Sequence, residues 1–174
     1  NGGALYTEND VVVAGDLVAK NNETTDGAAL YIGGGLTVEG DATITGSKSA
    51  TSALVAKIVE IKGNLTLEAN ESANAAIESA GAVAIGGSAT IAGNKTGGAI
   101  SANGAVSFGG DLTAKNNVAT DGAIIVGTTF NVGGAATLEN NESTTGAILA
   151  SGAVEIAGAL NATGNKATAG SVIS

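Results

Sequence analysis

The sequence predicts a parallel β-solenoid of about seven turns, each of about 24 residues, stacked in a single domain over residues 1–174. Two recurring patterns predict this fold. A small residue followed by an apolar residue returns at nearly constant spacing, and an apolar residue followed two positions later by glycine returns with the same period. Between these landmarks apolar and polar residues alternate, as in strands with one buried face. We expect about three short strands per turn and no evident caps.

The small-then-apolar pair is the first element of each turn. It occurs at Ala4-Leu5, Ala29-Leu30, Ala53-Leu54, Ala76-Ile77, Ala99-Ile100, Ala123-Ile124, Ala147-Ile148 and Ser171-Val172.

A corner that requires glycine is the second element. The corner glycines are Gly15, Gly40, Gly63, Gly87, Gly110, Gly134 and Gly158. Two physical reasons for this column are open. Either the corner needs a positive φ, or the neighbouring backbone leaves no space for a Cβ atom.

Two inward columns follow the corner, and their volumes compensate. Where the first column has Ala42, the second has Ile44, and where the first has Leu112, the second has Ala114. This pattern indicates a thin core of fixed width. Between the two columns lie threonines that we expect to face outward, namely Thr43, Thr66, Thr90, Thr113 and Thr137.

An asparagine column ends this strand. It consists of Asn22, Asn70, Asn94, Asn117, Asn141 and Asn165, with Ser47 in the remaining turn. We predict a ladder in which each side-chain amide bonds to the amides of the turns above and below. The alternative is that each asparagine only favours its own turn.

Composition disfavours several kinds of function. The formal charge of −9 repels phosphate groups and anionic lipids, so we expect neither nucleic acid binding nor direct membrane insertion. The chain has no cysteine and no histidine, which removes the thiolate ligand and the commonest metal ligand and proton shuttle. We therefore predict no metal and no cofactor.

Carboxylates are the remaining candidates for catalysis, and Asp16, Asp41 and Asp111 share one outward position. Asp41 and Asp111 lie three turns apart, roughly 14 Å at a strand spacing of about 4.8 Å, which is too far for a catalytic pair. Asp16 and Asp41 are in adjacent turns, but no aromatic or basic platform accompanies them. We interpret these residues as a solvated face and predict that the chain is not an enzyme and has no catalytic residue.

Two surfaces are candidates for contact with partners. The residue after each small-then-apolar pair is expected to face outward, which defines a partner face of Tyr6, Tyr31, Val55, Ile125, Leu149 and Ile173. The alternative is that these side chains pack under a neighbouring loop. Open strand edges at both ends predict head-to-tail self-association.

The repeats also resemble those of chlamydial polymorphic membrane proteins and related autotransporter-type passengers, which carry Gly-Gly-Ala-Ile and Phe-x-x-Asn motifs. The resemblance rests on Gly97-Gly98-Ala99-Ile100, on Gly2-Gly3-Ala4-Leu5 and on the asparagine column; alanine, isoleucine or leucine stands at the phenylalanine position. It implies a right-handed β-helix, export to a bacterial surface, and adhesion or display.

The leading hypothesis is therefore a non-enzymatic, extracellular structural or adhesive protein, either a fibre subunit that stacks end to end or the stalk of a bacterial surface protein with a host or cell-surface partner. The alternative is a carbohydrate-binding or carbohydrate-active β-helix. An ice-binding solenoid is third, because stacked threonines can order water, although only Thr43 and Thr45 place two threonines on one strand.

Overall fold

The computed structural model describes residues 3–173 and confirms the predicted parallel β-solenoid. Twenty-eight short strands form four parallel sheets of seven strands, and these residues contain no helix. Each strand pairs with the equivalent strands one turn before and one turn after it, so we call each turn a rung. Every fourth strand belongs to the same sheet: sheet A begins with the first strand, sheet B with the second, sheet C with the third and sheet D with the fourth.

The strands of the first four rungs are β1 (Leu5–Thr7), β2 (Val11–Val13), β3 (Leu17–Lys20), β4 (Glu23–Thr24), β5 (Leu30–Ile32), β6 (Gly35–Val38), β7 (Ala42–Thr45), β8 (Lys48–Ser49), β9 (Leu54–Ala56), β10 (Ile58–Ile61), β11 (Leu65–Glu68), β12 (Glu71–Ser72), β13 (Ala75–Ser79), β14 (Val83–Ile85), β15 (Ala89–Ala92) and β16 (Lys95–Thr96). The strands of the remaining rungs are β17 (Gly98–Ala102), β18 (Val106–Phe108), β19 (Leu112–Lys115), β20 (Val118–Ala119), β21 (Ala123–Gly127), β22 (Phe130–Val132), β23 (Ala136–Glu139), β24 (Glu142–Ser143), β25 (Gly146–Ala150), β26 (Val154–Ile156), β27 (Leu160–Thr163) and β28 (Lys166–Ala167).

Each rung contains four strands, so the prediction of three is wrong. The additional strands form sheet D and have only two residues each, directly after the asparagine column. Two residues are too few for an alternating pattern to be visible in the sequence. Outward positions of sheet D alternate in charge through Glu23, Lys48, Glu71 and Lys95, each directly opposite the next.

A single apolar core runs along the inside of the solenoid. It includes both inward columns predicted after the glycine corner, with Ala42, Ile44, Leu112 and Ala114 all at most 1% exposed. Two phenylalanines on neighbouring rungs, Phe108 and Phe130, pack edge to face with ring centroids 5.9 Å apart. Burying a large apolar side chain contributes about 1.5–3 kcal/mol, so the stacked columns supply the main stabilisation.

Crowding, and not a positive φ, explains the corner glycines. None of them has a positive φ. A Cβ atom on Gly63 would lie 2.6 Å from the carbonyl oxygen of Gly40, and one on Gly158 would lie 2.7 Å from that of Gly134. The column therefore lets each backbone stack directly on the preceding rung, where the Gly63 N–H donates to the Gly40 carbonyl at 3.0 Å.

The sequence register was wrong by one residue in two rungs. Ile125 pairs with Ile100 and is fully buried, and Ile173 pairs with Ile148 and packs against the core. Neither faces outward, so both leave the predicted partner face, and Val126 takes the outward position. The additional residue lies in the connection from sheet D to sheet A, where Gly122 and Gly170 have φ of 111° and 120°.

A second special column directly precedes the asparagines, and all seven of its members have a left-handed backbone. Their φ values lie between 53° and 66° at Asn21, Gly46, Ala69, Gly93, Asn116, Asn140 and Gly164. Glycine and asparagine tolerate this conformation, whereas alanine has a Cβ that opposes it. Ala69 is therefore the strained member of the column.

Ala69→Gly is expected to raise the free energy of unfolding by about 0.5–1 kcal/mol, because the strain of a left-handed alanine exceeds the added backbone entropy of glycine. Urea denaturation followed by circular dichroism measures the change. Ala80→Gly is the matched control, because Ala80 is also exposed but has no positive φ, and it is expected to lower stability. Equal losses in both variants would contradict the prediction.

Candidate functional site

The structure joins five of the predicted ladder residues into one continuous chain of side-chain hydrogen bonds. The Nδ2 group of Asn70 donates to Oδ1 of Asn94 at 3.0 Å, and the same bond links Asn94 to Asn117, Asn117 to Asn141 and Asn141 to Asn165 at 2.9 Å. The Nδ2 group of Asn94 also donates to the carbonyl of Leu67 at 2.8 Å. Each buried amide is thus bonded in three directions, which is a structural role.

Ser47 interrupts the ladder. Its backbone N–H donates to Oδ1 of Asn70 at 3.0 Å, but its hydroxyl oxygen is buried without a hydrogen-bond partner. Asn22 lies half-buried on the far side of this gap, so no side-chain amide connects it to Asn70.

The aspartates that were considered for catalysis instead support the corner next to the glycines. Oδ1 of Asp16 accepts the backbone N–H of Asp41 at 2.9 Å, and Oδ1 of Asp111 accepts the N–H of Ala135 at 2.7 Å. Asn64 and Ser88 use their side-chain oxygens in the same way on the next rung. Sequence reasoning treated these residues as a solvated face and missed this second, exposed row of hydrogen bonds.

The threonine column lies on the outer surface of sheet C, with Thr43, Thr66, Thr90, Thr113 and Thr137 directly opposite one another in register. The parallel outward column contains charged residues, including a Lys115–Glu139 ion pair at 2.8 Å. A second row of threonines, which a flat water-ordering array needs, is therefore missing.

The outer face of sheet A is the best candidate for a binding site. Its outward column contains Tyr6, Tyr31, Val55, Glu78, Ser101, Val126 and Leu149. This column is recessed between two rims, formed by the connections that enter and leave sheet A. Three adjoining cavities of about 450, 280 and 270 Å³ lie along it, and Glu78 lines all three. We call this continuous depression the sheet A groove.

Two stacked tyrosines form one end of the groove. The ring centroids of Tyr6 and Tyr31 lie 5.0 Å apart and their planes are inclined by 13°, so the rings repeat the spacing of the rungs. The Tyr6 hydroxyl donates to the carboxylate of Glu8, and this hydrogen bond to an anion raises the pKa of Tyr6 above its ordinary value of 10.0.

A carboxylate held by two neutral donors occupies the middle of the groove. Oε2 of Glu78 accepts a hydrogen bond from the hydroxyl of Ser52 at 3.0 Å and one from the Nδ2 group of Asn74 at 3.3 Å. Ser52 is fully buried, so its position in the rim is fixed. The sequence contained no signal for this trio, because its members come from two different rungs and have no common spacing.

The predicted partner face therefore corresponds to the groove floor in part. Tyr6, Tyr31, Val55 and Leu149 lie in its outward column, while Ile125 and Ile173 do not. Among residues 3–173 no group of three or more carboxylates is arranged to hold a metal ion, and no helix is long and apolar enough to cross a lipid bilayer.

Comparisons with known proteins identify no relative: no family model, no curated protein and no solved structure matches the chain.

Ser47→Asn is expected to stabilise the protein by about 1–2 kcal/mol, because the new amide restores the missing bonds between Asn22 and Asn70 and removes the orphaned hydroxyl. Thermal and urea unfolding measure the effect. Asn94→Ala is the opposite change, since it leaves donors and acceptors of Asn70 and Asn117 unsatisfied, and a loss of several times about 1 kcal/mol is expected. The exposed Asn161→Ala serves as the neutral control. A destabilising Ser47→Asn would show that the slot cannot hold an amide.

Glu8→Gln is expected to lower the pKa of Tyr6 towards 10.0, because it removes the anionic acceptor that favours the protonated phenol. Tyrosinate absorbance as a function of pH measures the shift, and Tyr6→Phe identifies which of the two transitions belongs to Tyr6. An unchanged titration curve in Glu8→Gln would exclude the hydrogen bond in solution, and Glu60→Gln on sheet B controls for loss of charge alone.

Proposed function

We propose that this chain is a non-catalytic structural and adhesive rod of an extracellular or bacterial surface protein. The observation that carries the proposal is the unbroken register of four parallel sheets across seven rungs around one continuous core. Such stacking resists bending and compression because every rung is hydrogen-bonded to both neighbours. The described rungs extend roughly 30 Å along the axis at about 4.8 Å each.

The arrangement of the polar residues supports a structural role over catalysis. The buried asparagines bond to one another and to the backbone, and the corner aspartates accept backbone N–H groups of the next rung. These groups are therefore engaged in holding rungs together. The extracellular location is proposed on the resemblance of the Gly-Gly-Ala-Ile repeats to exported passenger repeats.

A fibre subunit is the more specific version of this proposal. In the last complete described rung, the inward-facing Val154 and Leu160 are 36% and 47% exposed, whereas the same columns are buried inside the rod. A second copy that stacked its strands on this rung would bury these side chains and satisfy open strand edges. A stalk in which further rungs cover the same surface is the other version.

Electron microscopy and solution scattering over a wide concentration range test the proposal. Elongated particles with the cross-section of the solenoid are expected, and the fibre version requires their length to grow with concentration. Leu160→Lys should prevent growth, while Thr163→Lys on the outward side of the same strand should not. Short rods of constant length would overturn the fibre version. Release of reducing sugar from a panel of glycans would overturn the non-catalytic proposal.

A further inference from the structure

We propose that the sheet A groove binds a neutral, linear oligosaccharide that lies along the rod axis. This inference names the ligand class for the adhesive part of the proposed function and rests on it. Three features of the groove carry the inference: its continuity, the position of the tyrosines, and the mixture of donors and acceptors around Glu78.

The shape of the groove suits an extended ligand. The cavity next to Tyr6 and Tyr31 adjoins the cavity next to Ser101 and Val126, because Asn74 and Glu78 line both. From Tyr6 to Val126 the floor crosses six rungs, which corresponds to roughly 24 Å at a spacing of about 4.8 Å. A polymer whose units repeat at a similar distance can meet an equivalent position at each rung.

The aromatic residues are distributed unevenly between core and surface. The chain has two tyrosines, two phenylalanines and no tryptophan, and the phenylalanines are buried. Both tyrosines stand together in the groove, where Tyr6 is 50% exposed and Val55 extends the apolar floor. The C–H face of a pyranose ring packs on such a surface, and the phenol hydroxyls can bond to its substituents.

The polar groups of the groove include both donors and acceptors. Glu78 supplies a fixed acceptor, while Asn74, Thr51 and Ser101 supply groups that can donate. Sugar hydroxyls are both donors and acceptors, so they match this mixture. A cationic peptide would match only the carboxylates and would meet Lys57 at the opposite rim, and an anionic chain is repelled by the net charge of −9.

Binding can be observed without a label, because Tyr6 and Tyr31 are the only tyrosines and no tryptophan masks their fluorescence. The probes are four neutral hexasaccharides, cellohexaose, chitohexaose, maltohexaose and mannohexaose, with hexalysine and hexagalacturonate as charged comparators. A saturable change in tyrosine fluorescence with at least one neutral hexasaccharide is expected, and isothermal titration calorimetry supplies the affinity.

Variants test whether binding occurs in the groove. Tyr31→Ala and Glu78→Gln are each expected to weaken binding by about tenfold, whereas the matched control Glu60→Gln should leave the affinity unchanged. Tyr31→Phe, which keeps the ring, should retain most of the affinity if Tyr31→Ala does not fold. Circular dichroism verifies the fold of every variant.

Three results would overturn the inference: no binding of any neutral hexasaccharide, binding that Tyr31→Ala and Glu78→Gln leave intact, or a preference for hexalysine. These outcomes are distinct from failure of the rod proposal, which particle shape tests. A rod that binds no neutral glycan overturns the ligand class alone. Cleavage of a bound hexasaccharide would overturn the non-catalytic role and leave the groove as the binding site.

Discussion

Parallel hydrogen bonding between successive rungs is the interaction on which every other feature of this molecule depends. Because one strand spacing separates equivalent residues, each side chain meets the same kind of neighbour above and below. A Cβ at the corner would meet the backbone of the preceding rung, so the corner column is glycine. The same spacing brings the Tyr6 and Tyr31 rings to a centroid distance of 5.0 Å and connects the asparagine amides at 2.9–3.0 Å.

Polar interactions define the register that the apolar core leaves open. Leucine, isoleucine and alanine exchange places between rungs, so the core alone tolerates more than one alignment. A buried amide that loses its partner costs about 1–3 kcal/mol, which makes the ladder sensitive to any slip. Outside, opposite charges alternate on sheet D from Glu23 to Lys95. Exposed ion pairs contribute little to stability, but removal of one rung would place like charges together.

Features that recur in every rung could be predicted from the sequence, and features formed between unlike rungs could not. The inward columns, the outward threonines and the solenoid itself follow from the period. The misplaced Ile125 and Ile173 trace to one additional residue in the connection before sheet A, and the Asp121-Gly122 pair was the available turn signal. Ser52, Asn74 and Glu78 meet across two rungs without any repeated spacing, so only the three-dimensional structure brings this part of the groove together.

The direction of the asparagine hydrogen bonds has an electrical consequence. From Asn70 to Asn165 every Nδ2 group donates towards the later rung and every Oδ1 faces the earlier one, so the amide dipoles add along the axis instead of cancelling. Dipoles aligned in series within a low-dielectric interior polarise one another. Although β-sheets have little net dipole of their own, this rod therefore has two electrically different ends, with the positive pole towards Asn165, and it should orient in an applied electric field with a defined sense.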